Sequence, residues 1–321
     1  MITLAMVLVM LLTGRIHLSS LDMDALAGQL GSEQDPLVTA VPVRLEPATP
    51  RIDDRIRIAT FNVTLWDDSK AADPNVMQTL AAIISNFDLV AIQGIRSVRS
   101  QPIAQAIDLL NRNGNTYQSL VSEPIGGPTR MEQYAFVWDA KRLRNLPDTC
   151  YVIRDDADRM VREPFVSSFE TRIQAAAGFV PFRFTVINAN IDGREVDMAQ
   201  TMAELTVLDD VFLRVREFEY RARGEQDIML VGTLNTDARN LGELGQVPGI
   251  LSLAGTQPTL TRGDGAVDHM LIDRTVTSEF TGRYGIVDFQ RDYGLTLPQA
   301  LMISEHRPVW AEFNASERAP Q

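Results

Sequence analysis

Along most of this chain, short apolar runs stop abruptly at polar residues, and that rhythm limits the fold more than any other feature. The runs cover 56–63, 88–93, 117–122, 133–138, 165–171, 179–190, 227–231, 267–273 and 308–313. Four to eight apolar residues suit a strand buried on both faces, which needs no alternation. Helical periodicity is rarer. Asp73-Pro74 is an N-cap followed by proline at the first helical position, and Val76, Leu80, Ile83 and Ile84 then share one face. A second helix is expected over 101–112, stopped by Gly114. A third is expected over 195–221, with Met198, Met202, Leu205, Leu208, Phe212 and Val215 as one buried stripe. Strands outnumber helices, so sheets are expected in the middle with helices outside.

Residues 55–314 carry this pattern, and the chain before them does not. Residues 1–12 are almost unbroken apolar sequence, too short for a bilayer span of about 20 residues but long enough for a signal-peptide core. They are expected to export or anchor the chain at a membrane, the cytoplasm being the alternative. Residues 13–54 hold Pro36, Pro42, Pro47 and Pro50 and read as a linker, and 315–321 read as a tail. The net charge of −12 argues against a dedicated polyanion binder, though a local basic cluster can override an average. A lone Cys150 excludes an internal disulfide.

The chemistry sits where strands end. An amide closes Ala59-Thr60-Phe61-Asn62, and Val231-Gly232-Thr233-Leu234-Asn235 runs from a buried strand into glycine and asparagine. Val267-Asp268-His269 and Ser304-Glu305-His306-Arg307-Pro308 complete the set. Polar groups at strand ends are where sheet scaffolds place ligand sites. Singly, each is as compatible with a turn.

Taken in order, these motifs resemble the endonuclease/exonuclease/phosphatase superfamily. Arg57-Ile58-Ala59-Thr60-Phe61-Asn62 looks like its opening strand, and Asp88-Leu89-Val90-Ala91-Ile92-Gln93 like its second, which normally ends Gln-Glu. Glu132-Gln133-Tyr134-Ala135-Phe136 and Arg162-Glu163-Pro164-Phe165 are similar to the deoxyribonuclease I branch. The resemblance implies an α+β fold, a deoxyribonuclease I-like four-layer α/β/β/α sandwich. It also implies hydrolysis of phosphodiesters assisted by magnesium or manganese, because a hard cation held by carboxylates neutralises charge at phosphorus.

The departures fall on the catalytic groups. Gly94 stands for the metal-binding glutamate, Asn190 for a histidine, Thr233 for the aspartate of Gly-Asp-x-Asn, and Glu305 for the aspartate before the last histidine. What the resemblance leaves is a remnant catalytic set of His306, Glu305, Asn235, Glu132 and Asp268. Arg162, Tyr134 and Asn190 remain as phosphate contacts, and Asn62 as a weak metal remnant. Glu305 is expected to orient His306. Asp192, Asp237 and Asp264 lie near the motifs as substitute ligands. His306 as a structural residue, Arg162 in a surface pair and Glu132 as a solvated charge are the bland alternatives. Losing several groups that work as a unit favours a domain with lost or strongly reduced activity, retained to bind a phosphate-containing ligand, nucleic acid or a protein. The alternatives are an active phosphoesterase with relocated metal ligands and an envelope protein whose fold serves assembly. The silent reading requires no cofactor.

Overall fold

A computed structural model describes residues 51–97, 101–112, 114–127, 131–174 and 176–319, with the backbone of 15–17 and 41–42. The apolar segment 1–12 lies outside the described residues, as does most of 13–50. Two short strands do fall in that stretch: Arg15–His17 runs parallel to Tyr151–Arg154, and Val41–Pro42 runs parallel to Phe280–Ile286. No described helix is long and apolar enough to cross a membrane.

Two mixed sheets pack face to face. In the first, the order is Phe280–Ile286, Val309–Asn314, Arg55–Trp66, Leu89–Ile95, Gln133–Asp139, Tyr117–Val121. In the second, it is Tyr151–Arg154, Phe165–Thr171, Arg183–Asn190, Ile228–Thr233, Asp268–Asp273, Ile250–Ser252. Each sheet has a central parallel pair, Arg55–Trp66 beside Leu89–Ile95 and Arg183–Asn190 beside Ile228–Thr233. A parallel pair needs a crossover, and helices Pro74–Ile84 and Met198–Arg223 supply the two. Helices therefore cover the outer faces, giving the four-layer α/β/β/α sandwich.

The unbroken apolar runs follow from this layering. In the opening strand Ile56 and Ile58 enter the core between the sheets, while Ala59, Phe61 and Val63 enter the core under the helices. Both faces are dry, so period-two alternation disappears. Local signals set the helices: Asp73 accepts from the amides of Asn75 and Val76 at 2.8 and 3.3 Å, and Gly224 ends the long helix at φ +72°. An N-cap of this kind contributes about 1 kcal/mol.

Two boundaries, several short strands and one stripe differ from expectation. The apolar run over 179–190 breaks at Phe182 into Phe179–Pro181, which pairs with Ser316–Arg318, and Arg183–Asn190. Packing begins before Arg55, because Arg51 reaches Asp88 at 3.0 Å and Asp139 at 2.9 Å. Strands Leu143–Asn145, Tyr151–Arg154 and Ile250–Ser252 are too short to carry a period. In the long helix Met198 and Met202 are exposed, at 57% and 36%. The buried stripe starts at Thr201 instead and continues through Leu205, Leu208, Phe212 and Val215. Thr201 is inside because its hydroxyl meets Asn235 at 2.8 Å, a reason that hydrophobic spacing does not encode.

Candidate active site

The strand ends that carry the motifs meet at one end of the sandwich, across the seam between the sheets. Asn62 from the first sheet donates to Thr233 Oγ1 at 2.9 Å and to Asn190 Oδ1 at 3.3 Å, both on the second sheet. Thr233 passes its hydroxyl hydrogen to Asp268 Oδ1 at 2.6 Å. Both Asp268 oxygens lie within 3.0 Å of His306 Nδ1. Asn62, Thr233, Asp268 and His306 thus form one hydrogen-bonded chain, all of them buried. Behind it, Gln93 donates to Asn188 Oδ1 at 2.6 Å, and Asn188 returns a bond to the Ile92 carbonyl at 3.1 Å, tying the sheets together.

Burial lowers the imidazole pKa of His306, but the Asp268 carboxylate outweighs it and holds the group above the ordinary histidine value. Asp268 therefore fixes the ring, with Nδ1 toward the carboxylate. Glu305 does not: it is half-exposed and faces Arg194, its Oε2 3.8 Å from Nη1. A longer side chain beside the histidine in sequence points outward here, while the strand pairing Thr233↔Asp268 brings the orienting carboxylate from elsewhere.

A second network flanks the first. Glu132 is buried, not solvated. Its Oε2 accepts from Asn190 at 2.8 Å and lies 3.4 Å from Arg162 Nε, and its Oε1 accepts from Arg96 at 3.0 and 3.1 Å. Arg96 and Arg162 both also pair with Glu195. Asp192 accepts the backbone amide and the side chain of Arg194, at 2.9 and 3.0 Å. Burial pushes the Glu132 carboxyl up, against the pull of Arg162 and Arg96. Burial would also raise Asp192, but its Arg194 bonds prevail and hold it below the usual aspartate range. Carboxylate oxygens of Glu132, Asp192 and Glu195 come within 4.8 Å of one another, which would suit a cation. Each already faces a guanidinium, so three carboxylates meet Arg96, Arg162 and Arg194.

The other expected residues fall differently. Tyr134 is wholly buried in the core between the sheets, with Arg162, Glu132 and the Asn190 backbone as neighbours of its hydroxyl. Asn235 is half-buried at φ +54°, turned to Thr201 and packed so closely on Gly193 that a Cβ there would sit 2.1 Å from its Oδ1. Asp237 is spent on Arg239, at 2.7 Å. His269 is buried, with Nδ1 at 2.8 Å from Ser252 Oγ and Nε2 at 2.7 Å from the Thr236 carbonyl.

Gly94 is where the backbone itself departs. Pairing shifts register around it on both sides, between Asn62 and Trp66 and between Ile92 and Ile95. The glycine adopts φ +80°, and facing it Thr64 and Leu65 adopt φ +46° and +52°. A Cβ at Gly94 would lie 2.7 Å from Asn62 Oδ1 and 2.8 Å from the Thr64 amide. Lys70 holds this bulge in place: its ammonium donates to the carbonyls of Val63, Thr64 and Ile303, the first at 2.8 Å and the last at 3.1 Å. Ser304 Oγ adds a bond to the Asn62 carbonyl at 2.6 Å and accepts from the His306 amide at 2.9 Å.

Arg96, Arg194, Glu195, Ser304 and Lys70 were not legible as site residues. Arg96 had a weak signal, two residues after the expected Gln-Glu. The others sit in a loop, on a short helix or at a helix end, and reach the site only through the tertiary fold. An open cavity of about 380 Å³ lies alongside, lined by Val161 and Glu163 on either side of Arg162, and by Glu123, Asp158, Arg154, Ile125 and Met160. With three acids against one arginine, it is a poor phosphate receptacle.

Comparison with known proteins agrees with this geometry. The chain is 26% identical to bovine (Bos taurus) deoxyribonuclease-1 over 272 residues, covering 79% of this chain and 90% of that one. It is 29% identical to human (Homo sapiens) deoxyribonuclease-1-like 1 over 278 residues, covering 81% and 85%. Among solved structures, an endonuclease/exonuclease/phosphatase family protein of Bacteroides thetaiotaomicron superposes with a TM-score of 0.55 at 13% identity, covering 80% of this chain and 97% of that one. A mannosyl-6-phosphatase from the same organism gives 0.55 at 12% identity, covering 80% and 98%. No family model matches the chain.

Proposed function

We propose that this chain, a deoxyribonuclease I-like member of the endonuclease/exonuclease/phosphatase superfamily, has lost all or most phosphodiester hydrolysis and keeps its cleft to bind a phosphate-containing ligand. The observation that carries this reading is the Gly94 bulge. A metal-binding carboxylate is missing there, and the backbone leaves no room for one.

The remaining groups support it. Hydrolysis needs an anion to orient water and a cation to neutralise phosphorus. Thr233 offers a neutral hydroxyl, and its hydrogen is already committed to Asp268. Asn190 can donate to a phosphate oxygen but exchanges no proton near neutral pH, and one of its two amide hydrogens is held by Glu132. The dyad of His306 and Asp268 survives and could move a proton, but a lone proton shuttle supplies only part of the catalysis. Arg96 and Arg194, which keep some exposure, offer cationic donors for a bound phosphate.

The test uses purified full-length protein, supercoiled plasmid and magnesium or manganese. Binding of a short DNA duplex, followed by fluorescence anisotropy, should weaken as salt rises, with no nicking above a buffer control. Metal-dependent nicking that disappears in His306→Ala would overturn the silent reading.

The cluster of Glu132, Asp192 and Glu195 favours a second reading, an active phosphoesterase with relocated ligands. For a divalent ion to enter, at least one arginine must leave, and Arg194, more exposed than Arg96 or the buried Arg162, has the easiest path. Manganese bound with micromolar affinity and lost in Glu195→Gln would support that reading. We further propose that residues 1–12 direct the chain into or through a membrane. Fractionation that finds full-length protein wholly in the cytosol would refute this.

A further inference from the structure

On one side, each sheet of the sandwich ends in a strand whose outer backbone groups need a partner. In the second sheet that strand is Tyr151–Arg154, and in the first it is Phe280–Ile286. An open edge of this kind is a template for any extended segment that reaches it, a second copy of the same chain included. Here both edges are taken. Arg15, Ile16 and His17 lie in parallel register with Val152, Ile153 and Arg154. Val41 and Pro42 lie in parallel register with Arg283 and Tyr284. One stretch of chain ahead of the sandwich therefore supplies the outermost strand of both sheets.

What brings these five residues to the sandwich is the edges themselves. Residues 13–54 carry no sustained apolar period from which to build a core of their own. The described hydrophobic cores contain no residue before Ile56. Parallel ladders two and three residues long are weak, and a separate peptide of this length would not stay bound. Covalent attachment changes the balance. It presents the arm to its own edges at an effective concentration of about millimolar, which a second copy at micromolar concentration does not match. The residue types suit an outermost strand. Pro42 has no N–H to offer a further strand, and Arg15 and His17 place charge on either side of Ile16 in the sequence.

We propose that residues 15–17 and 41–42 are an intramolecular clasp, which occupies these two sheet edges in place of a second copy of the chain and so keeps the sandwich monomeric. The edge at Tyr151–Arg154 is the more consequential of the two. Val152, Ile153 and Arg154 also line the cavity beside Arg162, so whatever pairs with this strand stands at the wall of that cavity.

The test uses the full-length chain. In a Cys150→Ser background, Arg15→Cys combined with Val152→Cys should close a disulfide within one molecule, seen as a monomer without free thiol on a non-reducing gel. A disulfide-linked dimer would assign the arm to a neighbouring copy and overturn the clasp, as would two thiols that stay free under oxidation. A second variant, Ile16→Pro with Val41→Pro, removes the central N–H of one pairing and the single N–H of the other. Amide exchange at 152–154 and 283–284 should quicken about tenfold or more. Sedimentation should then show reversible self-association at concentrations where the unmodified chain is monomeric, with native circular dichroism retained. Unchanged exchange would deny the clasp. Faster exchange in a chain that stays monomeric, or association that comes only with unfolding, would deny its role.

Discussion

The two ends of this sandwich both collect buried acids, and they neutralise them in opposite ways. At the cleft, Glu132, Asp192 and Glu195 meet Arg96, Arg162 and Arg194, and every carboxylate has a guanidinium within reach. At the far end Glu225 and Glu317 lie near Arg183, which is itself bound to Glu170, and burial holds both carboxyls above the ordinary glutamate range. The lesson is that acid count does not locate a cation site. The end that resembles a metal-dependent hydrolase has filled its need for positive charge from its own chain, and the end without catalytic motifs has not.

The strongest blow to this contrast would come at Arg162. Its side chain is wholly buried between Glu132 and Glu195, whose charges outweigh a burial penalty that would otherwise lower its pKa. Replacing it with methionine strands Glu132 in the interior. Denaturant unfolding of Arg162→Met should show a loss of about 3–5 kcal/mol. A loss under about 1 kcal/mol would mean that the cleft acids do not depend on arginine for neutrality.

Gly94→Glu should cost about 1–3 kcal/mol, because the left-handed backbone and the Asn62 and Thr64 contacts both resist a side chain. It should not raise magnesium affinity, as read by calorimetry. Tight binding in this single variant would show that the bulge yields, and that the cleft is a metal site lacking one ligand.

At the far end the sign of the pH dependence separates the two neutralising modes. Burial raises the Glu225 carboxyl from 4.5 to about 7. A group raised on folding gives stability that is complete below its unfolded pKa and is lost as pH climbs through the folded one. Stability should therefore fall between about pH 4.5 and 7, by about 1–2 kcal/mol from this group, and Glu225→Gln should flatten the curve. The smallest effect concerns His306. Its imidazole, raised by Asp268 against burial, should titrate lower in Asp268→Asn, a shift visible in the proton resonance of the ring. An unmoved resonance would assign its orientation to something other than Asp268.

The layering was legible because a strand buried on both faces writes itself as continuous apolar sequence, as 56–63 and 227–231 do. The crossover helix after Asp73-Pro74 was legible for a local reason, its cap. The central chain of the site was legible in part: Asn62, Asp268 and His306 were named from strand ends, and they are joined. Their bridge, Thr233, had been read only as a loss. The arginine network was not legible, since Arg96 and Arg162 stand 66 positions apart in the chain and meet only through Glu132 and Glu195. Nor was the far-end cluster, because an acid beside a strand start reads as a solvated charge until the opposing segment covers it.

The bulge at Gly94 is held by more than the glycine itself. A point substitution alters a side chain, whereas the missing carboxylate is bound up with a shifted strand register, two left-handed residues opposite it and an ammonium gripping three carbonyls. Each would have to relax before a glutamate at this position could be useful, and none gains anything from relaxing alone. A glutamate introduced at this position alone thus meets a protein built to exclude it, and the strain spreads over a strand register, two backbone conformations and a buried ammonium at once.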